Sequence, residues 1–355
     1  MPGRVTIADV ATRAGVHKAT VSRALNARTQ HQVNTATVKR VQRAARELGY
    51  VPNVIARGLR TSLSMTIGVI LPDLTNPLFP PIVRGIESHL SGRSYTALVV
   101  NTDGKDDAEL AAFDSLLERR VDGLIVATGK VEHPLLADAY ARGIPVVMLN
   151  RGTARGEYPL VVGDDAKGVT DAVEHLVRLG HRDLVHLAGP ADFTTSLARS
   201  EAFTAAARRH PGLKHSIILA SAFSIAAGEA TMAELLARPE ELPTAVVAGN
   251  DLIAVGVLRA LRAHGLATPG DVSVVGFNDM PFAEDLNPPL TTVHIPHHEM
   301  GVQAARLLLE GIESGAQHGI TITLPAELVV RSSTAQPREH SIRGPLTHDS
   351  TPSSS

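Results

Sequence analysis

Lys18, Ala19, Ser22 and Arg23, within the stretch GVHKATVSRALN, are residue types suited to the surface of duplex DNA. Lysine and arginine donate to guanine O6 and N7, and an alanine methyl packs against the methyl of thymine. Hydroxyls such as those of Thr20 and Ser22 reach phosphate oxygens. If the stretch is helical, Val21, Ala24 and Leu25 take the opposite face. An ordinary helical hairpin with solvated charges would satisfy the same pattern, so the charge distribution has to decide. Residues 1–62 hold eleven Lys and Arg against only Asp9 and Glu47, which makes that segment +9 and leaves −11 on the rest of a 355-residue chain whose net charge is −2. A basic segment on an acidic body points to a polyanion-binding module joined to a carrier.

Three short helices must position those groups. TIADVATRAG offers Thr6 as an N-cap and Gly15 where the helix has to turn. HKATVSRALN supplies the second, and Val38, Val41, Ala45 and Leu48 recur at amphipathic spacing for a third between Asn34 and Gly49. None is long enough to be stable alone, so they must share one small core. Helix, glycine turn and helix is the helix-turn-helix arrangement. Val10, Ala14, Val16, Val21 and Ala24 seal the pair and small Ala11 permits a close crossing, which leaves the start of the second helix to enter a major groove.

From Ile67 the pattern changes. The apolar runs TIGVIL, TALVVN, DGLIVA, PVVMLN, DLVHLAG, SIILA, AVVAGND and VSVVGFND alternate with amphipathic stretches, the signature of βαβ units in doubly wound parallel sheets. About ten strands exceed one comfortable open sheet, so two sheet subdomains are expected. The absence of cysteine excludes disulfides, thiolate metal sites and cysteine nucleophiles. MPGRVTIADVATRAG has no apolar core of a signal peptide and no run reaches membrane-spanning length, so a cytoplasmic location without membrane association is expected. The Pro/Ser/Thr-rich tail 337–355 reads as disordered.

Together, VTIADVATRAGVHKATVSRALN and ELGYVPNVIARGLR resemble the DNA-binding headpiece of the lactose-repressor/galactose-repressor family. IGVILPDLTNPLFPPIVRGIE, GHRDLVHLAGP, AVVAGNDLIAVGVLRAL and VSVVGFNDMPFAEDLNPPLTTV resemble its periplasmic-binding-protein-like core. The likeness runs from about Val5 to Thr334. It implies a small all-α helix-turn-helix headpiece over 1–49, a hinge over 50–62 and an α/β core over 63–336. The core would consist of two doubly wound parallel-sheet subdomains, 63–163 with 294–323 and 164–293 with 324–336, and the chain would cross between them near Asp164, Val293 and Leu324. It further implies a homodimer on a pseudo-palindromic operator, contacted also by Thr6, His17, Asn26, Asn53, Ala56 and Arg60, with Leu59 as a minor-groove wedge.

A small-molecule effector, a sugar or sugar derivative, is expected between the core subdomains, because open α/β sheets bind ligands at strand C-terminal ends. Asp73, Asn76, Phe79, Asn150, Arg151, Thr195, Arg199, Phe223, Asn250 and Asn278 are the candidates. Amides, carboxylates and arginine match vicinal hydroxyls, with phenylalanine as an apolar platform. Arg199 and Asn250 match positions that touch effectors in several members, and Arg199 is expected to hold the ligand from the C-terminal subdomain. An Asn or Asp after a strand is also an ordinary turn or cap residue. Two positions depart from the family: Asn278 stands where many members carry Asp, and His17 where Ser is common.

Enzyme readings are weak. GLIVATGK has five residues between Gly123 and Gly129, one more than a phosphate loop, and is followed by Val131 in place of Ser or Thr, so it fails as one. Adjacent His297 and His298 do not share a helix face, there is no HExxH, and His181 and His186 have no nucleophile elbow to serve. The expectation is therefore a transcriptional regulator, most simply a repressor, with no enzymatic activity, no cofactor and no metal. The rival readings are a solute-binding protein or a sugar- or nucleoside-processing enzyme on the same fold.

Overall fold

A computed structural model describes residues 5–25, 29–50, 63–238, 242–315 and 319–338. The expectations for Asn26, Asn53, Ala56, Leu59, Arg60 and the tail from 339 onward fall outside them. The chain forms two compact units, Met1–Ser64 and Met65–Ser355.

The first unit contains α1 (Ile7–Ala14), α2 (Lys18–Ala24), a 3-10 turn at Gln30–Gln32 and α3 (Thr35–Glu47). Gly15 ends α1 at φ 62°, a left-handed conformation that a β-carbon would strain, and the amide of Val16 returns to the Ala11 carbonyl at 3.0 Å. This turn lets α2 fold back so that Val10, Ala11, Ala14, Val21 and Ala24 meet Val38, Val41, Ala44 and Ala45 of α3 in one buried cluster. Val16 and Leu48 pack against its edge.

The second unit contains two six-stranded sheets. The first is built from β1 (Thr66–Leu71), β2 (Thr96–Asn101), β3 (Gly123–Val126), β4 (Val146–Leu149), β5 (Leu160–Gly163) and β11 (Thr321–Leu324), in the order β11-β5-β4-β3-β1-β2. The second is built from β6 (Asp183–Ala188), β7 (Lys214–Leu219), β8 (Ala245–Ala248), β9 (Ser273–Asn278), β10 (Thr291–His294) and β12 (Glu327–Val329), in the order β12-β10-β9-β8-β6-β7. All pairings are parallel except β10 with β12.

The helices between strands are α4 (Phe79–Ser91), α5 (Asp106–Glu118), α6 (Pro134–Ala141), α7 (Asp165–Arg178), α8 (Thr194–Ala207), α9 (Ile225–Leu236), α10 (Asp251–Ala263) and α11 (His297–Ser314). The chain leaves the first sheet after Gly163, returns after His294 and crosses again after Leu324. Twelve strands stand where about ten were expected. Of the four without an assigned run, β10 (TTVH), β11 (TITL) and β12 (ELV) carry polar residues that break an apolar run, while β5 (LVVG) carries a run as short as those of β3 and β8.

Strand interiors are almost wholly apolar, and His186 in β6 is an exception at 1% exposure. Its Nδ1 lies 2.8 Å from the Val247 carbonyl, to which it must donate, and its ring stacks on Phe203 at 5.2 Å. Burial pushes its pKa down to about 4. A histidine held below its unfolded value contributes stability that is complete above about pH 6.5 and lost as pH falls towards 4. At about 1.4 kcal/mol per unit, the loss by pH 5 is on the order of 2 kcal/mol. His186→Asn keeps a donor for Val247 and cannot titrate. Urea denaturation should therefore show a smaller fall in stability between pH 7.5 and 5 for this variant than for the unmodified chain. An equal fall in both would refute a buried neutral His186.

Candidate DNA interface and effector cleft

In the first unit, the amide and the hydroxyl of Thr6 both donate to Asp9 Oδ2 at 2.8 Å. These bonds hold the Asp9 carboxyl below its usual range. Thr6 is therefore the N-cap residue of α1, and it remains exposed at the start of the helix. His17 caps α2, its Nδ1 accepting from the Ala19 amide at 3.2 Å, which places the proton on Nε2. The histidine thus performs the capping task of a serine and keeps an outward donor.

Lys18, Ala19 and Arg23 are exposed on α2, while Thr20 and Ser22 are half-buried. Other basic residues serve the fold. Arg13 and Arg43 both pair with Glu47 at 2.9 Å, and Arg40 Nε donates to the Ala14 carbonyl at the end of α1. Among the described residues Lys18 and Arg23 form no ion pair, so their charges stay available to an anion.

In the second unit the effector candidates divide into two groups. The first group is occupied locally. Asp73 Oδ1 accepts from the Thr75 amide and hydroxyl at 2.8 and 2.6 Å, and Asn76 Oδ1 accepts from the Leu78 amide at 3.1 Å. Asn250 Oδ1 caps α10 by accepting from the Ile253 amide at 2.8 Å. Phe79 is a correction. It is 1% exposed within the main hydrophobic cluster, so it is a core residue and not an open platform, because α4 begins there and turns the ring beneath the sheet.

The second group converges from the ends of several strands. Asn150, at φ 63°, and Arg151 follow β4; Phe223 follows β7; Asn278, at φ 111°, ends β9; and Thr195 lies in the first turn of α8. The guanidinium of Arg151 sits 4.1 Å from the ring centroid of Phe193 and 5.1 Å from that of Phe223, whose own centroids are 6.0 Å apart. Phe223 reaches this position because residue 189 is glycine: a β-carbon there would lie 2.2 Å from the ring.

The two lobes also meet through the backbone. The Val131 amide donates to the Asp192 carbonyl at 2.9 Å and the Gly152 amide to Thr194 Oγ1 at 3.1 Å. Phe193 carries no strand-end signal, and His297, whose buried ring is pushed down to about 4 by burial and by the charges of His294 and Arg199, was likewise not among the candidates. Neither position is marked by a local sequence pattern.

Electrostatically the two arginines differ. Arg199, 3% exposed, is fully engaged. Its Nε and Nη2 lie 3.0 and 2.9 Å from Asp165 Oδ1, Nη1 donates to the Gly249 carbonyl at 2.6 Å, and the guanidinium covers the Phe277 ring at 3.7 Å. Arg151, 9% exposed, has no such partner, and its buried Nε donates to nothing. Burial, with Arg199 nearby, pushes it down to about 10. Two aromatic faces return about 2 kcal/mol when desolvated, against several kcal/mol for burying an ion, so the rings alone do not compensate Arg151. The Oδ1 of Asn278 is buried and equally without a partner.

A helix-turn-helix unit with an exposed basic face and a core of two mostly parallel sheets with polar groups at the strand ends together have the architecture of a DNA-binding transcriptional regulator. Residues 6–53 match the model of bacterial regulatory proteins, lacI family, and residues 173–334 that of the periplasmic binding protein-like domain. The chain is 32% identical over 330 residues to the HTH-type transcriptional repressor CytR of Escherichia coli K12, covering 93% of this chain and 96% of that protein.

Among solved structures, it is similar to the lac repressor dimer bound to operator and the anti-inducer ONPF, with a TM-score of 0.81, 28% identity and coverage of 94% and 100% of the two chains. It is also similar to a LacI family transcriptional regulator from Enterococcus faecium with bound ribose, with a TM-score of 0.68, 31% identity and coverage of 77% and 100%. The chain belongs to the lacI family of bacterial transcriptional regulators.

Arg199 is thus a structural residue whatever else it touches. Its removal leaves the Asp165 carboxyl, already raised by burial, without its countercharge. Arg199→Ala should lower the stability of the core by about 3–5 kcal/mol, and adding Asp165→Ala should restore part of that loss. Denaturation of the two variants checks this. If Arg199→Ala is as stable as the unmodified chain, the pair does not bear on folding.

Proposed function

We propose that this chain is a homodimeric repressor whose affinity for a pseudo-palindromic operator is set by a small metabolite of carbohydrate type bound between the two lobes of the core. The observation that carries the reading is that both lobes bring buried polar atoms to the strand ends, Arg151 Nε and Asn278 Oδ1, with no protein partner. Buried polar groups in folded proteins are satisfied, so an orphan on each lobe is what a ligand between them would complete. The lac repressor neighbour, bound to operator as a dimer, and the ribose-bound neighbour support the oligomer, the DNA and the ligand class.

Control then requires the ligand to prefer one arrangement of the lobes, since a ligand that binds both equally shifts nothing. Asn150, Thr195, Asn250 and Asp73 are proposed to share the cleft with these two groups. Asn26, Asn53, Ala56, Leu59 and Arg60 are proposed on the family likeness to extend the DNA contact.

On this reading binding to the chain's own promoter weakens steeply with salt, through release of counterions from the DNA. Arg23→Ala should lower specific affinity by about 1–3 kcal/mol if Arg23 holds a base edge in bidentate fashion. Mobility shifts across a salt series, with and without ribose and other sugars, test both halves. Affinity indifferent to salt and to Arg23→Ala would remove the DNA assignment, whereas affinity indifferent to every sugar would count against a carbohydrate effector.

A further inference from the structure

The cleft contains a cation that no protein group neutralises. Arg151 is buried with its guanidinium against the rings of both Phe193 and Phe223, and among the described residues that group has no hydrogen bond and no ion pair. Asp165 is the buried carboxylate beside Arg199 and is consumed by it. Asp192 is exposed and feels Arg151 only through space. Asp279, which follows Asn278, is paired with Arg331 at 2.8 Å and His294 at 3.1 Å. Asp251 is turned to the Met280 amide and the Thr292 hydroxyl. At position 278 itself the side chain is an amide, so that strand end supplies a dipole and no charge.

We propose that the effector of this chain is an anion, a small carbohydrate-type molecule bearing a carboxylate or phosphate group, and that Arg151 is the residue that reads this charge. The inference rests on the cleft being the effector site. The unsatisfied Nε–H, with the adjacent Nη, offers the side of a guanidinium, a two-donor fork that matches two oxygens of a carboxylate or phosphate. Arg151 packs its guanidinium against both rings. When the anion binds, the buried charge gains the partner it lacks, which gives the differential affinity that a switch needs.

Titration calorimetry on the full chain tests this with inorganic phosphate and with matched pairs: ribose against ribose 5-phosphate, glucose against glucose 6-phosphate, and galactose against galacturonate. The pairs separate phosphate from carboxylate as the source of charge. The expected result is saturable phosphate binding that Arg151→Met abolishes, and at least a tenfold preference for the charged member of a pair, cut to less than twofold by Arg151→Met.

Thermal unfolding of Arg151→Met should lie no lower than that of the unmodified chain, since an uncompensated charge is removed. Asn278→Asp, which adds a carboxylate to the cleft, should weaken anion binding in a chain that keeps Arg151. Phosphate binding unchanged by Arg151→Met, or neutral sugars bound as tightly as their charged counterparts, would overturn the proposal.

Operator mobility shifts in the same panel separate it from the reading on which it rests. If neutral sugars alone alter operator affinity, the effector cleft stands and the charge inference fails. If anions bind through Arg151 without altering operator affinity, the charge site stands and the effector reading fails.

Discussion

A parallel strand covered on both faces can hold a polar side chain in its interior only with a partner, as His186 has, and in this core that constraint sends most polar groups to the strand ends. β3, β4, β8 and β9 are buried along their whole length. Asn150, Arg151, Asn250 and Asn278 all follow or end such strands. Because the chain passes three times between the sheets, strand ends from both lobes come together where Arg151 meets Phe193 and Phe223. The lobes are made to face each other by connectivity, not by attraction between the polar groups themselves.

Within that cleft, desolvation decides what each charged group does. Arg199 and Asp165 neutralise each other at 2.9 Å, and the Gly249 carbonyl and the Phe277 ring complete the shell. Such a pair is tied to the fold: removing one member leaves a buried charge. Arg151 is also buried, at 9% exposure, but among the described residues it has two rings against it and no carboxylate or carbonyl bound to its guanidinium. The headpiece shows the converse arrangement. There Arg13 and Arg40 tie α1 to α3 and Arg43 pairs within α3, while Lys18 and Arg23, without an ion pair among the described residues, are left in solvent, where they cost little until an anion arrives.

Much of this was legible without coordinates. Long apolar runs marked eight strands, and helical spacing marked the headpiece core, because both signals are periodic and local. β10, β11 and β12 were not legible, since polar residues interrupt their apolar positions, and β5 was passed over although its LVVG is an apolar run. Phe79 was misread because its position after a strand resembles a site, while burial is a property of what packs on it. The cap made by Thr6 was not legible from residue type alone, because a hydroxyl that caps a helix and one that meets phosphate are the same residue. The pairing of Arg199 with Asp165 and the seat of Arg151 against Phe193 and Phe223 join residues from separate elements, and no spacing rule connects them.

The chain by itself therefore determined its elements, its charge asymmetry, the turn at Gly15 and its membership of a regulator family, since each is written in neighbouring residues or in composition. Only the tertiary structure decided which of the buried charges are satisfied. Solvation of a guanidinium depends on every atom within a few ångströms, and those atoms come from β4, β6, β7 and α8, brought together by sheet order and not by sequence.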